Sequence, residues 1–146
     1  MSEESRVMVS PHIMKSYMRN RTEAVLSTYG LNPGDGPFLM EIGDCGGLSL
    51  KELSTEMMVD RGLTTRTVSR LLAGDFIENR SLDRRVYRVW LTPRGTEVRE
   101  ALIKSFKQTK EELTANFTSE EKAELIRLMH KMLLNIRQSA TPGSRS

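Results

Sequence analysis

The feature that most constrains the fold is a change of hydrophobic period in the middle of the chain. From Ser49 to Gly74 the apolar residues fall at helical spacing, in two short runs separated by a break. Ser49 can cap the first run, with Glu52 completing a capping box and Leu50, Leu53 and Met57 forming the inner face. Asp60 opens the second run, which continues through Thr64, Thr65, Thr67, Val68, Leu71 and Leu72 and closes near Ala73-Gly74-Asp75. The period then drops to two. Phe76–Arg80 and Val86–Leu91 read as paired strands joined by the polar stretch Ser81–Arg85, with Val89 and Leu91 facing inward, Arg88 and Trp90 outward. Thr92 can cap a further helix that begins at Pro93. Two short helices around a tight break, followed by a hairpin, have the dimensions of a helix-turn-helix with a wing.

The flanks are helical. Met14, Met18, Val25 and Tyr29 recur near helical spacing between Pro11 and Tyr29, widened by Ile13, Tyr17 and Leu26, with Ser10 as the expected cap. Gly30 stops this helix, Asn32–Gly36 is a turn, and a short helix over 37–42 leads into the Gly43–Gly47 loop. Beyond the hairpin, Val98, Leu102, Phe106, Thr109 and Leu113 mark one helical face. A break at 116–118 precedes a last helix capped by Thr118 or Ser119. The apolar stripe of that helix, from Leu125 to Ile136, is broad enough to require cover from a partner subunit. The expected fold is mainly α with a small β-hairpin wing: one domain over 1–146, with a winged helix-turn-helix module at 37–95. Dimerisation helices are expected at 11–30 and 96–138, and a flexible tail at 139–146.

Charge narrows the function. Residues 1–60 carry five basic and nine acidic side chains, whereas residues 61–99 carry nine arginines, no lysine and four acids. Arginine suits forked contacts to phosphates and guanine edges, so this block fits nucleic acid. A single cysteine and two histidines cannot assemble a four-ligand zinc site or an internal disulfide, and no metal or cofactor is expected. No catalytic motif appears, no run approaches a membrane span, and the N-terminus lacks a secretory leader; a cytoplasmic non-enzyme is expected. The helix at about 62–73 offers Arg61, Thr64, Thr65, Arg66, Thr67, Ser69 and Arg70 to a major groove, while Arg84, Arg85 and Arg88 belong to a wing suited to the minor groove. Asp83 is expected to hold Arg84 or Arg85 extended.

The ordered set of segments resembles the MarR family over nearly the whole chain. Leu48–Ile77 is similar to the family helix-turn-helix, with Val59-Asp60-Arg61 at its turn. Asp83-Arg84-Arg85 and Leu91-Thr92-Pro93-Arg94-Gly95 are similar to the wing and the opening of the next helix. Gly30-Leu31-Asn32-Pro33 resembles the link after the first helix, and Phe117–Glu121 the start of the last one. The resemblance implies a homodimer on a palindromic double-stranded DNA operator, acting as a repressor and released by a small aromatic effector or an oxidant, with Arg85 as the wing arginine. The sequence departs from the family in a shorter stretch between Ile77 and Asp83, in Gly62-Leu63, and in Gly74-Asp75 at the end of the second helix.

Met14, Tyr17 and Met18 could line an adaptable ligand pocket. Cys45 has no basic neighbour in sequence to lower its pKa, and it does not match the position of the sensing cysteine in oxidant-responsive members. His12 and His130 show no metal spacing. The alternative function is a winged-helix protein–protein interaction module, which would expose an apolar groove in place of the arginine surface.

Overall fold

A computed structural model describes residues 1–83 and 85–139. Two units divide the chain, the first covering Met1–Thr109 and the second beginning at Lys110. The order is α1 (Glu3–Leu26), a 3-10 turn (Ser27–Tyr29), α2 (Asp35–Asp44), α3 (Leu50–Met57), α4 (Arg61–Ala73), β1 (Ile77–Asn79), β2 (Val89–Leu91), α5 (Pro93–Leu113) and α6 (Ser119–Ser139). The mainly helical fold with one small antiparallel hairpin is the one the period change predicts.

The core of the first unit draws buried residues from all of its α-helices and both strands. Leu26 from α1, Phe38, Leu39 and Ile42 from α2, Leu53 from α3, and Val68 and Leu71 from α4 meet Phe76, Ile77 and Val89 of the hairpin and Val98 and Leu102 of α5. In α4 the buried positions are Thr64, Thr67, Val68 and Leu71, the one-sided spacing of a helix lying on a core.

Both caps expected in the helix-turn-helix form. Ser49 Oγ accepts from Glu52 N while Glu52 Oε2 accepts from Ser49 N, closing a capping box, and Asp60 Oδ1 accepts from Leu63 N at 2.7 Å. Between them Met58 adopts a left-handed conformation (φ 54°) and ends α3 without a glycine. Thr118, not Ser119, caps α6: its Oγ1 accepts from Glu121 N and its N–H is returned to Glu121 Oε1.

Several boundaries differ from expectation. α1 begins at Glu3, capped by Ser2, and runs through Pro11 rather than starting there. Proline deprives the carbonyl four residues back of its donor. Residues 7–14 are all exposed, so water is at hand for that carbonyl. α2 starts at Asp35, two residues early, because Pro37 is tolerated within a first turn whose N–H groups have no helical partner. The strands are shorter than 76–80 and 86–91. Asn79 Oδ1 takes the backbone N–H of both Arg88 and Ser81 while Arg80 N still donates to Arg88 O, so a side chain replaces one of the two ladder bonds as the hairpin opens. The proposed tail lies outside the described residues from 140 onward.

The hairpin pairs Ile77 with Leu91, Glu78 with Trp90 and Asn79 with Val89. An isolated bridge from Leu48 to Val89 adds a third edge, unforeseen in the sequence. At the other end of the hairpin, Thr92 Oγ1 accepts from Gly95 N and donates to Asp75 O, and Thr92 N donates to Phe76 O. Gly95 is required there, since a Cβ would lie 1.9 Å from the Phe76 carbonyl oxygen.

The long terminal helices keep much of their apolar surface uncovered. Val7, Met8, Ile13, Met14 and Met18 on α1 are exposed, and α6 has no buried residue although Leu125, Ile126, Leu128, Met129, Met132, Leu133, Leu134 and Ile136 lie along it.

Candidate nucleic-acid interface

α4 rests on the core through one face, so its opposite face is open. Successive residues step about 100° around a helix, and with Thr64 and Val68 inside, Gly62, Arg66, Ser69 and Ala73 point outward. Arg61 and Thr65 occupy the flank toward the wing, Leu63 and Arg70 the other.

This placement corrects part of the expected contact set. Thr64 and Thr67 are buried and cannot reach a ligand. Thr64 Oγ1 accepts from Ser54 Oγ at 2.9 Å and donates to Asp60 O, joining α3 to α4. Arg70 is half-exposed but its guanidinium is turned to Asp35 on α2, with Nη2 2.8 Å from Oδ1 and Nη1 donating to Oδ2 at 3.2 Å. Asp35 is fully buried and also accepts from Asn32 N, so this pair fixes α4 on the start of α2. Arg88 donates through Nη1 to Glu52 Oε2 at 2.9 Å and to Gly47 O at 3.2 Å. Arg84 lies outside the described residues.

Arg61, Thr65 and Arg85 come together. They line a cleft of about 280 Å³ whose other walls are Ser49, Leu50, Lys51, Val86 and Tyr87. Among the described residues, three cations and no carboxylate line this cleft. Lys51 and Tyr87 are absent from the sequence-based set. Lys51 is the one basic residue between Arg21 and Arg61, a signal that could have singled it out. A neighbouring cleft lined by Leu48, Ser49, Lys51, Glu52, Thr55 and Glu56 is acidic by contrast.

The wing tip is wound by short-range hydrogen bonds. Ser81 Oγ accepts from Asp83 N, and Asp83 Oδ1 accepts from Arg85 N at 2.9 Å. The Asp83 carboxylate stands 3.8 Å from Arg85 Nε, and the Arg85 side chain is 93% exposed. Asp83 therefore holds the backbone of Arg85 more closely than its guanidinium. Glu52 has its pKa lowered, first by the Ser49 backbone N–H and then by Arg88.

Met14, Met18 and the half-buried Tyr17 lie on one stretch of α1, where Arg21 donates to the Tyr17 hydroxyl and sits 5.1 Å over its ring. Cys45 is exposed, but desolvation and the nearby Glu41 carboxylate push its thiol pKa up. That opposes an activated thiolate. Among the described residues no cluster of His, Cys, Asp and Glu is placed to hold a metal, and no helix is long and apolar enough to cross a membrane.

The MarR family profile matches residues 31–87, which span α2, the helix-turn-helix and most of the wing. The HTH-type transcriptional regulator BilQ of Clostridioides difficile is 32% identical over 110 residues, covering 74% of each chain. The chain belongs to the MarR family. MarR proteins are DNA-binding regulators and not enzymes. A MarR protein from Peptoclostridium difficile superposes with a TM-score of 0.82 at 25% identity, covering 92% of this chain and 89% of that one. A MarR family regulator from Listeria monocytogenes, solved in complex with a 26mer DNA, superposes with a TM-score of 0.81 over 90% of this chain and 89% of that one; at 16% identity it speaks to the fold alone.

Proposed function

We propose that the chain is a cytoplasmic, homodimeric repressor that reads a palindromic operator in double-stranded DNA. The observation that carries the reading is the acid-free cleft lined by Lys51, Arg61 and Arg85 between α4 and the wing. When a helix lies in a major groove and a wing in the adjacent minor groove, a phosphate backbone must pass between them. That strand would run where the three cations converge. Arg66 and Ser69 would face base edges, Thr65 would border the backbone, and Arg85 would enter the minor groove. The outer face of α4 presents Gly62, Arg66, Ser69 and Ala73, none of them a large apolar side chain, which favours nucleic acid over a protein partner.

Dimerisation is supported by the exposed apolar residues of α1 and α6, which a second copy would cover. A two-fold pair would set its α4 helices about 34 Å apart, one turn of duplex. Release by a small aromatic effector is the family behaviour we assign to this chain, with Met14, Tyr17 and Met18 supplying soft contacts once a second copy is in place.

The test is selection of genomic fragments by the purified protein at physiological salt against a shuffled competitor. Enrichment of one short palindrome is expected, and an effector is then sought by its release of that duplex. Equal binding to all fragments with a steep salt dependence would overturn the operator reading, and failure to bind any duplex would overturn DNA binding itself.

A further inference from the structure

We propose that Glu52 and Arg88 are positioning residues for DNA binding, their ion pair strapping the wing to the start of α3 and setting the angle at which Arg85 meets the duplex. The inference rests on the DNA-binding reading above and names two residues that serve it without touching DNA. Glu52 Oε2 accepts both from Ser49 N at 2.9 Å and from Arg88 Nη1 at 2.9 Å, so one carboxylate oxygen closes the capping box of α3 and holds the wing. The same nitrogen of Arg88 reaches Gly47 O at 3.2 Å. Gly47 N donates to Val89 O, and Val89 N donates to Leu48 O, so the backbone pairs where the side chains clasp.

Trp90 seals the other side. Its ring lies so close to the loop that a Cβ on Gly46 would stand 2.4 Å from it and one on Gly47 3.0 Å. The Arg80 guanidinium sits 5.0 Å from the ring centroid. The root of the wing is thus gripped through Arg88 and Trp90, which share the outward face of the hairpin, while Arg85 three residues before Arg88 projects into solvent. Arg88 is turned back onto the protein. Its loss would let the wing swing and carry Arg85 with it, while Lys51 and Arg61 stay in place on their helices.

Two signatures separate positioning from contact. Removing an arginine that neutralises a phosphate lowers the slope of log affinity against log salt by about 0.9, whereas removing a strap weakens binding at unchanged slope. Glu52→Gln also removes a negative charge near DNA, so bulk electrostatics alone would tighten binding where a broken strap weakens it. The glutamine oxygen still accepts from Ser49 N, which preserves the cap, while the negative charge that holds the Arg88 guanidinium is gone.

The experiment titrates a labelled mixed-sequence duplex of about three helical turns with the full-length wild type, Glu52→Gln, Arg88→Gln, Arg88→Lys, the Glu52→Gln/Arg88→Gln double variant and Arg85→Gln across a salt series. Trp90, the single tryptophan of the chain, reports the wing root in the DNA-free proteins by emission wavelength and acrylamide quenching. Glu52→Gln and Arg88→Gln are each expected to red-shift Trp90, increase its quenching and weaken the duplex roughly three- to tenfold at wild-type slope. The double variant should be no weaker than the worse single one, Arg88→Lys should recover part of both signals, and Arg85→Gln should lower the slope and leave Trp90 untouched. Tighter binding by Glu52→Gln, a lowered slope for Arg88→Gln, or an unmoved Trp90 would overturn the proposal. If the wild type binds no duplex, DNA binding falls and the positioning role with it, while Trp90 quenching still tells whether the pair holds the wing.

Discussion

Thr64 and Thr65 are neighbours in sequence with opposite environments, because one residue of helix turns a side chain by about 100°. Thr64 is sealed against Ser54, while Thr65 lines the basic cleft. Thr64→Val should therefore cost about 1 kcal/mol of stability through the lost hydrogen bond, read as a lower Tm, and leave DNA affinity as it was. Thr65→Ala should do the reverse, with affinity falling several-fold and Tm unmoved. Residue types alone could not sort these threonines, since hydroxyls serve a core and a groove equally well. Arg70 and Arg88 teach the same lesson: both are arginines in a basic block, yet each is committed to a carboxylate supplied by a different helix. Cys45 belongs at this scale too. Its raised pKa lowers the thiolate fraction at pH 7, so alkylation by iodoacetamide should be slower than for a free cysteine under the same conditions.

The elements were legible where their signals are local. Ser49 with Glu52, and Asp60, name their helix starts in the sequence because a cap needs only residues three apart. The start of α1 was not legible, since Ser2 and Ser10 are both competent caps and Pro11 imitates a first-turn proline. Nor was the Leu48–Val89 bridge, which joins residues far apart in the chain. Gly95 marks the junction of hairpin and α5. Gly95→Ala should cost about 3 kcal/mol by overpacking, a loss read in denaturant melts, because the obstructing atom is backbone and cannot swing aside. The strap at α3 gives a pH dependence with a definite sign. Glu52 has a folded pKa below its ordinary 4.5, so its contribution is complete above that value and is lost as pH falls through the depressed one. Trp90 emission should hold steady from pH 7 to 5 and shift red only in stronger acid, and Arg88→Gln should flatten that transition.

At the scale of the whole molecule the exposed apolar residues of α1 and α6 dominate. Met132 is 64% exposed, so Met132→Glu should fold normally while placing a charge where a second copy is expected. Light scattering should show a monomer, with duplex affinity falling as two linked half-site contacts become one; a variant that stays dimeric would remove this face of α6 from the interface. The amino-acid sequence by itself determined the helical class, the helix-turn-helix with its hairpin, and the concentration of arginine around them. Those properties follow from periodicity, capping and composition, which are written within a few residues of each other. Only the tertiary structure decided which threonines are core, which arginines are spent on Asp35 and Glu52, and that Lys51 and Tyr87 join Arg61 and Arg85 around one cleft. Such choices depend on which faces of separate elements meet, and that is set by packing over long sequence separations.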